Sequence, residues 1–399
     1  MLRFLLALIS YFLLACSGEK YDLSNAMNIL PEKTDNFIVS PELARTSIYI
    51  EGEAYAGTLT PKKLASLRDI SSNFELFDGG AFYVSSSKKL VKAKFSGERE
   101  IVSFEERLAK KKNVSDFLLA INGDMAIIVS NSGDVVAFDT SIMQIKWDAK
   151  INDIVNIKPF IYKDEVVIST SSGGLYTFDI FTGEKGVEVL KVEDPTGVNF
   201  NTISNLEIIP IYTGRIFISY YRSELLFFDI STKLKLYNLS LLENSLDFSR
   251  ITSTPIFYGN FLFVGTSSNL SAVSLATGGK IWDTNGKFTS NIASAGGFIF
   301  IFEQSSRNLL AFSSQNGSVK WKTELEIPKK TSKLWISTFS PNAILTIDEK
   351  GYITKLNIVN GSIFEEKKRQ VAFSKRFNYR LINGKIYYTD GSDNLIILE

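Results

Sequence analysis

Residues 133–147 read GDVVAFDTSIMQIKW, and this stretch decides the fold. Residues 135–138 are apolar and β-branched enough for a buried strand. Residues 139–143 form a turn and 144–147 open a second strand, with Trp147 eight residues beyond Asp139. The same frame recurs as GGLYTFDIFTGEKGV (173–187), SELLFFDISTKLKLY (223–237), SNLSAVSLATGGKIW (268–282), RNLLAFSSQNGSVKW (307–321) and GYITKLNIVNGSIFE (351–365). A weaker copy, SKKLVKAKFSGEREI, occupies 87–101, and a truncated one, SDNLIIL, occupies 392–398.

These eight copies place Ala93, Asp139, Asp179, Asp229, Ser274, Ser313, Asn357 and Leu398 at one position, 39 to 50 residues apart. A period of that length, with four short strands per repeat, predicts propeller blades. An earlier hairpin precedes each frame, as in IPIYTGRIFIS (209–219), TPIFYGNFLFVG (254–265) and RLINGKIYYT (380–389). Asn383-Gly384 has the chemistry of a two-residue type I′ turn. The expected fold is all-β: an eight-bladed β-propeller of four-stranded antiparallel blades, one domain over residues 46–399. The last repeat ends after its third strand, and a blade left open at its edge is disfavoured. An N-terminal strand must therefore close the ring. TSIYI (46–50) is the expected closing strand, with 36–39 a weaker candidate. Thr60-Pro61 followed by KKLASL predicts an N-cap, a proline at the first helical position and a short helix over about 61–67.

The repeat residues have a structural reading. Asp139, Asp179 and Asp229 are expected to accept bonds from backbone N–H groups in the turn that follows. Trp147, Trp282 and Trp321 are expected to pack between adjacent blades. Gly183, Gly278, Gly317 and Gly361, four residues beyond the Asp position, suit a turn with positive φ.

Chemistry is constrained by what the 399 residues lack. There is no His, which removes the commonest general base and metal ligand. The chain has one Cys, no G-x-S-x-G and no Gly-rich phosphate loop. No catalytic, metal or cofactor residue is singled out, so the expectation is a non-enzyme without cofactor. The net charge of +1 gives no electrostatic case for nucleic acid. The basic runs at 110–112 and 367–369 read as solvated loops.

The N-terminus reads as a targeting segment. Arg3 precedes an apolar run over 4–14, too short to span a bilayer. Leu13-Leu14-Ala15-Cys16-Ser17-Gly18 resembles the lipobox of bacterial lipoproteins. The resemblance implies a signal peptide over 1–15, acylation at Cys16 and, with Ser rather than Asp at position 17, sorting to the outer membrane. Residues 16–45 read as the lipidated Cys and a polar tether; 17–45 extend at most about 95 Å.

The pattern G-x-φ-x-A-φ-D-x-x-T-G-x-x-x-W, where φ is apolar, resembles the quinoprotein (PQQ-type) propeller repeat. Two groups carry it: quinone-dependent dehydrogenases, which often hold an adjacent Cys pair, and the outer-membrane assembly lipoproteins of the BamB family. Lipobox, eight copies, length and a last repeat that stops at its third strand favour the second. That resemblance implies a non-catalytic scaffold that docks, as a monomer within a complex, on the periplasmic POTRA domains of a BamA-like barrel protein. Other assembly-complex subunits and unfolded outer-membrane proteins are implied as further partners. The docking face it implies falls on loops of the fourth and fifth blades, here about 199–205 and 246–252. In these loops the candidate contact residues are Phe200, Ile203, Asn205, Leu206, Phe248, Arg250, Ile251 and Thr252. A quinoprotein-type enzyme or ligand-binding propeller, and an unrelated envelope lipoprotein using the same repeat, stand as alternatives.

Overall fold

The computed structural model describes residues 61–108, 116–171, 174–189, 209–211, 215–220, 224–229, 232, 234–240, 251–253, 255–274, 279–328, 334–340, 342–348, 350–367, 379–382 and 385–398. The strands form eight four-stranded antiparallel sheets. Seven are consecutive in sequence, spanning 75–103 (blade 1), 117–150, 160–189, 209–240, 256–285, 293–324 and 334–367 (blade 7). Blade 8 joins Tyr379–Ile382, Lys385–Thr389 and Asn394–Leu398 to Pro61–Ser66 from the other end of the chain.

Among the described residues the core lies between blades, because strands such as Asp134–Asp139 are apolar on both faces. Val135 and Ala137 of blade 2 pack with Ile168 and Phe178 of blade 3. Val136 and Phe138, which alternate with them, pack with Phe82 and Phe104 of blade 1. Side chains along a strand alternate between faces, so one strand feeds both seams. The first strands of blades 1 and 2, 2 and 3, and 6 and 7 approach one another along the inner wall of the ring.

The closing strand is Pro61–Ser66, which corrects two expectations. The stretch read as a helix is extended, and pairs with Asn394–Leu398 from Pro61↔Leu398 to Ser66↔Asn394. The fourth position of blade 8 is thereby filled, so it is not filled by 46–50, which lies outside the described residues. The helix signal loses because a local propensity is worth tenths of a kcal/mol per residue, whereas this pairing satisfies an otherwise open edge. Proline is compatible with it, standing first in an edge strand where no ladder N–H is needed. Past the strand the chain crosses to blade 1. The Leu67 N–H donates to Asp393 O at 2.7 Å, and the Tyr83 hydroxyl donates to Leu67 O.

A second correction concerns the frame of blade 1. Lys94, not Ala93, is opposite Gly80, as Asp139 is opposite Met125. Its turn closes from Lys94 N to Glu98 O, one residue tighter than the Asp179 N to Glu184 O closure of blade 3.

Candidate functional site

The seams between blades are built from the repeat residues. The Trp147 indole N–H donates to Ile180 O of the next blade at 2.8 Å. Trp282 does the same to Ser314 O at 3.1 Å, and Trp321 to Ile358 O at 2.8 Å. Each acceptor lies in the turn before the last strand of the following blade, and each indole rests on that turn's glycine. Gly183, Gly317 and Gly361 have φ of +73°, +67° and +70°. A Cβ on any of them would come within 2.6 Å of the facing indole.

The Asp position stiffens the turn. Asp179 Oδ1 accepts from Phe181 N at 2.9 Å and Thr182 N at 2.8 Å, and Asn357 Oδ1 from Val359 N at 2.8 Å. Asp139 Oδ1 accepts from the Ser141 N–H and hydroxyl, and Lys146 is 3.2 Å from Oδ2. The Ser141 hydroxyl, with the Lys146 and backbone bonds, outweighs desolvation and holds the Asp139 carboxyl at about 2. Asp229 ends the third strand of blade 4, Glu224–Asp229, opposite Arg215. The Asp139 and Asp179 carboxylates, so engaged, are not free for a ligand in the way an active-site carboxylate must be.

Of the expected docking residues, Phe200, Ile203, Asn205, Leu206, Phe248 and Arg250 lie outside the described residues. Ile251 is 4% exposed and bridges to Thr266, so it packs in the fold and presents no docking surface, a correction to its place among the contact residues. Thr252 is half-buried; its hydroxyl donates to Phe288 O at 2.8 Å and ties blade 5 to blade 6.

The inner wall holds a charged cluster that periodicity does not reveal. Two residues before the hairpin of each blade, the inner strand carries Ala120, Phe160, Ile256 and Ala293 in blades 2, 3, 5 and 6. Blades 1 and 8 carry Glu75 and Arg380 instead. Arg380 Nη2 lies 2.7 Å from Glu75 Oε1, and Lys158, which precedes the inner strand of blade 3, lies 2.8 Å from the same oxygen. The Asn73 amide donates to it at 2.8 Å and also pairs with Leu119 N and O of blade 2. Burial alone raises the Glu75 carboxyl; the Arg380 and Lys158 charges outweigh it and hold the group at about 2. The one sequence signal was a charge at a position that is apolar in blades 2, 3, 5 and 6 and uncharged (Thr338) in blade 7. With two cations and an amide on one oxygen, this carboxylate is poorly suited to ligate a calcium ion or a quinone's metal. Among the described residues, no group of three or more His, Cys, Asp or Glu side chains could hold a metal ion.

Eight four-stranded blades, three of whose seams carry this indole on glycine, define a β-propeller of the quinoprotein-repeat class. A family model described as outer membrane protein assembly factor BamB matches residues 62–245 and 109–323. The chain belongs to that family. It is 25% identical over 283 residues to the outer membrane protein assembly factor BamB of Shewanella oneidensis, covering 68% of each chain. It is 22% identical over 356 residues to an uncharacterized protein of Rickettsia conorii, covering 84% of this chain and 81% of that one. The crystal structure of BamB from Moraxella catarrhalis superposes with a TM-score of 0.67 at 16% identity, over 86% of this chain and 100% of that one. Quinohemoprotein alcohol dehydrogenase from Comamonas testosteroni shares the fold at a TM-score of 0.60 and 10% identity, over 86% and 76% of the two chains.

Proposed function

We propose that this chain is a non-catalytic scaffold of outer-membrane protein assembly, held to the membrane through an acylated Cys16 and docking on the periplasmic POTRA domains of a BamA-like barrel protein. The match of the BamB family model to residues 62–245 and 109–323 carries the reading. The lipobox resemblance at Leu13-Leu14-Ala15-Cys16 supports the anchor. The occupied Glu75 carboxylate counts against a quinoprotein enzyme. A docking face of ordinary size buries about 800 Å² on each partner, an area that the loops at 199–205 and 246–252 supply as a group, with Phe200, Ile203 and Phe248 as apolar anchors and Arg250 as the charged one.

The test is a pull-down from detergent-solubilised envelopes, comparing the wild type with Phe248→Ala/Arg250→Ala. The barrel protein should be recovered with the wild type and lost with the double variant, at an unchanged melting temperature. Undiminished recovery would place the docking face elsewhere. Stoichiometric quinone or calcium in the purified protein would overturn the scaffold reading. Cys16→Ala should move the protein from the membrane to the soluble periplasmic fraction, and an unmodified Cys16 in mass spectra would remove the anchor.

A further inference from the structure

In blades 1 to 7 the antiparallel strand order puts the turns between strands one and two, and between three and four, on one face of the disk. The turns between strands two and three, and the connections to the next blade, lie on the other. On the first face the third-to-fourth turns of blades 2, 3 and 7 carry Ile142, Phe181 and Val359, exposed by 54%, 60% and 66%. Val319, Ile363 and Phe364, also exposed, begin the outer strands of blades 6 and 7 at the same rim. On the opposite face the exposed large apolar side chain among the described residues is Ile154.

The chain enters the disk on the apolar rim. Pro61 is paired with Leu398 at the end of the third strand of blade 8, level with the turns that carry Ile142 and Phe181. The chain before Pro61 is therefore joined to the disk at that face, and Cys16 lies 45 residues upstream. A chain of that length spans at most about 160 Å. It limits the distance from the membrane without setting which face turns toward it, so weak contacts decide the orientation once tethering raises their effective concentration.

We propose that this turn face meets the lipid surface, with Ile142, Phe181 and Val359 as shallow apolar contacts, leaving the face with the inter-blade connections for protein partners. The inference rests on the lipid anchor of the preceding section. The occupant is lipid because the apolar tips stand singly on stiff turns around the rim rather than forming one groove. Their insertion is driven by apolar area, not charge: Asp78, Asp124 and Asp164 share the face with Lys163.

A membrane-held form tests this whether or not Cys16 is acylated. The mature chain with Cys16→Ser and an N-terminal oligohistidine tag is bound to vesicles of phosphatidylethanolamine and phosphatidylglycerol through a nickel-chelating lipid. A fluorophore is placed on Phe181→Cys or, on the opposite face, on Ile154→Cys. Nitroxide-labelled lipid should quench the first several-fold more than the second, with little change on adding salt. Equal quenching, stronger quenching at position 154, or none at either would overturn the proposal. Unchanged membrane association in Cys16→Ala cells, with quenching at 181 intact, would remove the native anchor while leaving the lipid-facing surface.

Discussion

Trp147 and Gly183 meet across the seam between blades 2 and 3, with the indole 2.6 Å from where a Cβ on Gly183 would stand. The glycine is required twice over, by this approach and by its φ of +73°. Gly183→Ala is expected to destabilise the protein by about 2–4 kcal/mol, combining the left-handed backbone cost with the overlap. Trp147→Ala should cost about 3–5 kcal/mol. Urea unfolding of the two single variants and the double variant measures both. A double variant worse than Trp147→Ala by only the backbone cost of about 1–2 kcal/mol would show that the ring accounts for the rest of the penalty.

Blade 1 solves the same seam differently. Glu100, opposite Lys92, takes the position that Trp147 takes opposite Ala137, while Met143 takes the glycine position at φ +51° and is 9% exposed within the core between blades 1 and 2. A side chain from the turn fills the space that an indole fills elsewhere. Met143→Gly relieves a strained backbone but empties the seam, for an expected net loss of about 1–3 kcal/mol. Adding Glu100→Trp to Met143→Gly should recover part of it, a coupling of about 1 kcal/mol or more in a double-mutant cycle. Strict additivity would contradict the exchange.

Ring closure by Pro61–Ser66 is expected to dominate the stability of the ends. Deleting 61–66 exposes the Asn394–Leu398 edge and cuts the Leu67 to Asp393 bond. It should lower the melting temperature far more than deleting 17–31. Equal melting temperatures for the two truncations would contradict this closure.

The Glu75 cluster makes stability depend on pH in acid. Its carboxyl lies at about 2 when folded, below the ordinary 4.5, so the stability it contributes is fully present above 4.5 and is lost as pH falls through 2. A shift of that size corresponds to about 3 kcal/mol. Glu75→Gln leaves Arg380 and Lys158 without their counter-charge, and should unfold more easily at neutral pH by about 3–5 kcal/mol. Its urea midpoint should then fall less steeply than that of the wild type between pH 4.5 and 2. Parallel pH profiles would argue against the cluster.

The absence of an indole at the equivalent position of blade 7 has a topological reason. Glu365 stands opposite Lys355 there, as Trp321 stands opposite Ala311. The next blade has no turn between its third and fourth strands, since its fourth strand comes from the N-terminus. There is no glycine turn for an indole to cover.

Much of this was legible in the sequence because it repeats. Period, strand count, the Trp and Gly spacing and the need for an N-terminal strand follow from local patterns sampled eight times over. Three features were decided only by the tertiary structure. The closing strand came from a stretch whose local signals favour a helix, because pairing with an open edge outweighs propensity. The frame of blade 1 shifted from Ala93 to Lys94, because a turn shortened by one residue leaves no mark on the hydrophobic pattern. Glu75 met Arg380 across 305 residues and Lys158 from two blades away. Periodicity records what each strand needs from its own sheet. It carries no information about which side chains face one another once the ring has closed.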